Sequence, residues 1–163
     1  MTRPQFDTLD LRILQSLSTN ARKPYLEIAR ENGVSGAAVH QRIQRLMANG
    51  IIKGSESIID PSTVGFDTCA YVGFFLRDPS ISKDIVEKLR QIPEVVECHY
   101  TTGQYDMFIK LYARNNDHLL DILQNQIQAL GLVRTETLIS FKEVFKRQVP
   151  VTHAAKKKDK EKE

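Results

Sequence analysis

The sequence predicts an α+β protein in two parts: an N-terminal winged helix-turn-helix followed by a ferredoxin-like β-α-β-β-α-β domain. Three observations carry this prediction. Residues 7–50 place apolar side chains at spacings of three and four, the helical period. Residues 68–147 alternate β-rich runs with helical segments. Between them, Gly54 to Asp67 mixes glycine, proline, serine and aspartate, the composition of a linker. The organisation expected is a helix-turn-helix domain over 1–53, a linker or wing hairpin over 54–67, a second domain over 68–150 and a charged, disordered tail over 151–163.

In the first part, Asp7 is placed to cap a helix whose Leu9, Ile13, Leu14 and Leu17 share a face. Pro24 suits the first turn of a second helix, where its missing N–H costs nothing, and Leu26, Ile28 and Ala29 supply its buried side. Asn32-Gly33 ends that helix in a tight turn, with Val34 buried behind it. Ser35 then caps a third helix with an apolar stripe of Ala38, Val39, Ile43, Leu46 and Met47. This third helix stands in the recognition position of a helix-turn-helix. Its outward side carries His40, Gln41, Arg42, Gln44 and Arg45, and no acid occurs from Ser35 to Lys53. A merely solvated face usually mixes both signs, so a one-signed, amide-rich face points to a polyanion. Ile51–Lys53 and Ser57–Asp60 are expected to pair as the wing.

In the second part, strands are expected over 68–76, 95–102, 105–113 and 134–147, with helices over 80–91 and 116–129. Ile81, Ile85, Val86 and Leu89 form the inner side of the first helix; Leu119, Leu120, Leu123 and Ile127 form that of the second. Two helices cover one face of a four-stranded sheet. The strands nevertheless carry large apolar groups on both faces, as where Phe108 alternates with Met107 and Ile109. The uncovered face is therefore expected to pack on a second copy of the chain, as a homodimer.

Composition narrows the function classes. A net charge of +3 permits nucleic-acid binding without requiring it, so the argument rests on where charges sit. The N-terminus has no apolar signal region, and no run approaches a membrane span, which leads to a cytoplasmic expectation with no membrane partner. Cys69 and Cys98 lie in strand-like runs and read as packing thiols. The histidines His40, His99, His118 and His153 are scattered, so no metal site and no cofactor is expected. No catalytic triad, acid pair or phosphate-cradling loop is present, so the chain does not read as an enzyme.

At this point the residues resemble a known family. LDLRILQSLSTNARKPYLEIA and VSGAAVHQRIQRLMANGIIKG look like the N-terminal half of the Lrp/AsnC, or feast/famine, transcription regulators. The β-α-β-β-α-β half, with TTGQYDMFIKL, is similar to that family's effector-binding RAM domain. The resemblance covers roughly residues 7–147 and is most specific at Ser35 to Ile52 and at the G-x-Y-D turn from Gly103 to Asp106. It implies a dimer that assembles further into a tetramer, an octamer or a ring. It implies double-stranded operator DNA as one partner and an amino acid or related small metabolite as the other, sensed between RAM domains. The Lys- and Glu-rich tail after Pro150 is not part of the family pattern.

The candidate DNA-binding residues are Ser35, His40, Gln41, Arg42 and Arg45. Arginine reads guanine bidentately or grips phosphate, and glutamine bonds adenine. Ser35 aims its hydroxyl and the helix N-terminal amides at a phosphate. The alternative is that one of the two arginines ties the domain together by an intramolecular ion pair. For the effector, the candidates are Gly103, Gln104, Tyr105 and Asp106: the backbone amides of Gly103–Tyr105 face an α-carboxylate and Asp106 meets the α-ammonium. The alternative is a plain hairpin turn with Asp106 pairing locally. By resemblance, Thr135 and Thr137 line the same pocket from a neighbouring subunit. The rival function within this fold is a DNA-architectural protein that binds without any effector.

Overall fold

A computed structural model describes residues 6–152. The chain divides into two compact units. One runs to Ser57 and takes up the chain again at Lys146; the other is Ile58–Phe145. The tail expected to be disordered lies outside the described residues from His153 onward.

The helical unit contains α1 (Thr8–Thr19), α2 (Tyr25–Glu31) and α3 (Gly36–Ala48). Asp7 caps α1: its carboxylate accepts from the Asp10 N–H at 2.8 Å, and the Asp10 carboxylate accepts in return from the Asp7 N–H at 3.3 Å. Pro24 sits at the cap of α2, and Gly33 turns the chain at φ 65° before Ser35, whose Oγ accepts from the Ala38 N–H at 3.2 Å. Ile13, Ile28, Ala29, Val39, Ile43 and Leu46 form the core, with Leu9, Leu14, Leu17 and Val34 packed against it. Each fully buried isoleucine or leucine there contributes roughly 1.5–3 kcal/mol. Three expected core residues lie outside it: Leu26 is 64% exposed, Met47 43%, and Ala38 is half-buried. Leu26 instead closes over Gly36, where a Cβ would sit 2.7 Å from its Cδ2.

The wing does not form. Ile51 and Ile52 fold back on α3, both donating their N–H to the Leu46 carbonyl, and pack against the helical core. Core burial takes the two isoleucines that a hairpin would need. Ile58 and Ile59 stay exposed, no strand occurs over 51–67, and the segment's only regular feature is a single 3₁₀ turn at Ser62–Val64.

The second unit has the expected order: β1 (Thr68–Phe75), α4 (Ser82–Leu89), β2 (Val95–Tyr100), β3 (Met107–Ala113), α5 (Asn116–Asp121) and β4 (Arg134–Ser140). The sheet order is β2-β3-β1-β4, antiparallel throughout. Ala70, Val72 and Phe74 of β1 and Met107, Ile109 and Leu111 of β3 meet Ile85, Leu89, Leu119, Ile122 and Ile127 on the helix side. β4 ends at Ser140, so the residues to 147 are not strand. After α5 the helix widens into a π turn (Ile122–Ile127) and closes in a 3₁₀ turn (Gln128–Leu130). Leu119, Ile122, Ile127 and Leu130 are buried, the wider turn spanning the step from Ile122 to Ile127, whereas Leu120, expected inside, is 52% exposed. The other sheet face carries Cys69, Tyr71, Phe75, Phe108, Lys110 and Tyr112, and among the described residues of this unit no helix covers it. Cys69 and Cys98 project to opposite faces and are free thiols.

Candidate functional site

Along α3 the exposed side chains are Ala37, His40, Gln41, Gln44, Arg45, Met47 and Ala48, with Ser35 at the N-terminal end. The His40 ring lies 6.0 Å from that of Tyr25 on α2. Arg42 and Arg45 flank this stripe and reach toward the start of α1. Arg42 bonds Asp7 and meets Asp10 Oδ1 at 3.1 Å; Arg45 meets Asp10 Oδ2 at 2.6 Å. The Asp10 side chain is 1% exposed, so two guanidiniums and one backbone N–H satisfy a buried carboxylate. The ion-pair alternative therefore describes both arginines. Their charge braces α3 on α1, while Arg45, 52% exposed, still borders the outward stripe. The Asp10 N–H, and after it the Arg42 guanidinium, hold the Asp7 carboxyl below its ordinary ionisation range.

The turn before β3 is anchored in two directions. Asp106 Oδ2 accepts from the Leu76 N–H at 2.8 Å, and the Asp106 N–H donates to the Phe74 carbonyl at 3.0 Å, so Asp106 pairs locally with the end of β1. Gln104 and Tyr105 go the other way: Glu136 Oε2 accepts from Gln104 Nε2 at 3.0 Å and from the Tyr105 hydroxyl at 2.7 Å. Gly103 takes φ 109°, a backbone conformation that side chains rarely adopt. Among the described residues, the main-chain N–H groups of Gly103, Gln104 and Tyr105 donate to nothing. Thr135 pairs with Phe74 and Thr137 with Val72, on the helix side of the sheet, whereas Tyr105 lies on the open side. Among the described residues no hydrogen bond joins the turn to either threonine.

Sequence reasoning missed two residues. Asp10 is the third helical position after the Asp7 cap, where the capping-box pattern expects an acid, and that spacing was the signal. Glu136 carries no local signal, because its partners are 31 and 32 residues away. Among the described residues no group of three or more His, Cys, Asp and Glu could hold a metal, and no helix is long and apolar enough to cross a membrane.

Comparison with known proteins accounts for both units. Residues 6–47 match the AsnC-type helix-turn-helix domain, and residues 69–150 match the Lrp/AsnC ligand binding domain. The chain is 38% identical over 144 residues to the regulatory protein AsnC of Haemophilus influenzae, covering 88% of this chain and 96% of that one. The chain belongs to the Lrp/AsnC family of transcription regulators. The solved structure of Escherichia coli AsnC superposes with a TM-score of 0.84 at 35% identity, covering 90% of this chain and 99% of that one. A feast or famine regulatory protein from M. tuberculosis, solved complexed with L-methionine, gives a TM-score of 0.84 at 26% identity, covering 91% of this chain and all of that one. In Lrp/AsnC terms, the α1–α3 brace falls in the matched helix-turn-helix and the Gly103–Asp106 turn in the matched ligand-binding domain.

Proposed function

We propose that this chain binds operator DNA through the outward stripe of α3, and that an amino acid held at the Gly103–Asp106 turn, between RAM domains, modulates that binding. The observation that carries the DNA half is the stripe itself. It is exposed, free of acids and rich in hydrogen-bonding groups, on a helix capped by Ser35. Ser35 takes a phosphate, Gln41 and Gln44 read base edges, His40 sits beside them, and Arg45 contributes from the flank. Arg42 acts mainly by fixing the helix that presents them.

Three unpaired amides at the turn support the effector half, since convergent N–H groups bind a carboxylate. So does the L-methionine complex of the M. tuberculosis regulator. A second copy on the open sheet face supplies the dimer, and the threonines of a neighbouring subunit complete the pocket. The local pairing of Asp106 favours the second reading, a DNA-architectural protein without an effector.

The experiment selects duplexes from a random pool and titrates them by fluorescence anisotropy at fixed salt, with and without each of the twenty amino acids. Gln41→Glu is expected to weaken binding by about 10–100-fold, the worth of roughly 1–3 kcal/mol at a base contact. Unchanged affinity overturns the α3 assignment. Selective binding that no amino acid alters favours the architectural reading.

A further inference from the structure

Tyr105 does not simply follow the turn; it crosses the sheet. Its ring lies over Gly73 on β1, where a Cβ would sit 2.4–2.6 Å from three ring carbons. Only glycine leaves that slot open. The ring stacks on Phe108 at 5.6 Å and meets the edge of Phe75 at 5.4 Å, and its hydroxyl reaches Glu136 on β4, on the far side of β1 from β3. Gln104 makes the same crossing to the same oxygen. The other oxygen of Glu136 receives Arg134 Nη2 at 2.7 Å, and that guanidinium lies 4.2 Å above the Phe75 ring.

We propose that Glu136 is the positioning residue of the effector turn, holding Gln104 and Tyr105 across β1 so that the turn's unpaired amides face outward. Glu136 touches no effector in this assignment and acts through the two side chains it grips. The inference deepens the effector reading above and rests on it for its functional meaning. The same network lies on the open sheet face, so turn geometry and that face share one set of contacts. A ligand at the turn and a copy on the face then bias each other through a shared element.

The test is residue-resolved amide exchange by NMR on the full chain, which needs no effector. The reporters are the protected amides around the turn: Thr101, bonded to the Asp106 carbonyl, Asp106 itself, and Leu76. Glu136→Ala is expected to speed their exchange about tenfold, the worth of roughly one net hydrogen bond, with Ile109 and Leu111 unchanged. Gly73→Ala, which displaces the ring and leaves Glu136 intact, is expected to give the same local pattern. Glu136→Gln keeps an acceptor and is expected to restore slow exchange, while the Tyr105 phenol, held above its ordinary range by Glu136 in the wild type, titrates lower. Unchanged exchange at the three reporters overturns the proposal, and so does a uniform rise that includes Ile109 and Leu111. A thermal-shift screen of the wild type with the twenty amino acids is run alongside. If no amino acid raises its melting temperature the effector reading fails, and the exchange result still decides the role of Glu136.

Discussion

Asp10 is the residue on which the helical unit turns. A carboxylate at 1% exposure is tolerable only when its charge is met, and here two arginines and a capping N–H meet it. Arg42→Ala leaves one guanidinium in place and is expected to cost roughly 1–3 kcal/mol. Removing Arg42 and Arg45 together strands the charge and is expected to cost about 3–5 kcal/mol. Urea melts of the two variants check the gap; equal stability would show that Arg45 adds nothing. The outward residues of α3 were legible in the sequence because an acid-free stretch can be read directly. The inward pull on the arginines was not, since Asp10 precedes them by 32 and 35 residues and looks, among its leucines, like an ordinary helix acid. Glu136 was illegible for the same reason: its meaning lies in a side chain that crosses a strand at a glycine.

Elements whose boundaries are set by local chemistry were read correctly. Asp7, Ser35 and Gly33 mark helix ends through hydrogen bonds or a positive φ within a few residues, and the structure uses all three. Ser35→Ala is expected to lower stability by about 1 kcal/mol through the lost cap at the Ala38 N–H, read as a drop in melting temperature. Three elements were misread: the wing, the helix after β3 and the end of the last strand. The wing's isoleucines were taken into the helical core, the last strand stops at Ser140, and α5 leaves Leu120 exposed before the chain widens into its π turn. A strict 3.6 period cannot anticipate one extra residue in a turn. The capped start of α1 also sets a pH response. Asp7 ionises more readily in the fold than its ordinary value of 3.8, so its contribution is complete above that value. It is lost as pH falls through the lower folded value. Melting curves from pH 6 to 3 are expected to steepen at the acid end, and Asp7→Asn to flatten that decline.

At the scale of the whole molecule, the open sheet face is the surface on which we propose that a second copy packs. Tyr71 stacks on Phe108 at 5.7 Å and Phe108 on Tyr105 at 5.6 Å, while Leu138 is 55% exposed beside them. Lys110 lies within this face at 5% exposure. Burial works against its charge, but bonds to Tyr112 and to Glu143 at 3.2 Å outweigh that and hold it above the ordinary lysine range. An aromatic surface around one internally paired cation suits a like surface, the self-complementary contact of a two-fold pair. Phe108→Asp is expected to dissociate the assembly while the monomer stays folded, as sedimentation velocity and circular dichroism together would show. An unchanged sedimentation coefficient would place the contact elsewhere. The sequence foresaw this face because apolar residues fell on both sides of the strands. It did not foresee the lysine within the face or the acid that pairs with it.

The bracket of Asp7, Asp10, Arg42 and Arg45 has one more consequence. The residue that completes the first turn of α1 is also the hook on which α3 hangs. A slip of one position in where α1 starts would rotate Asp10 by about 100° and release both arginines at once. The starting frame of the first helix and the tilt of the last are thus a single degree of freedom. A substitution at the cap, remote from the outward stripe, is in effect a change of aim.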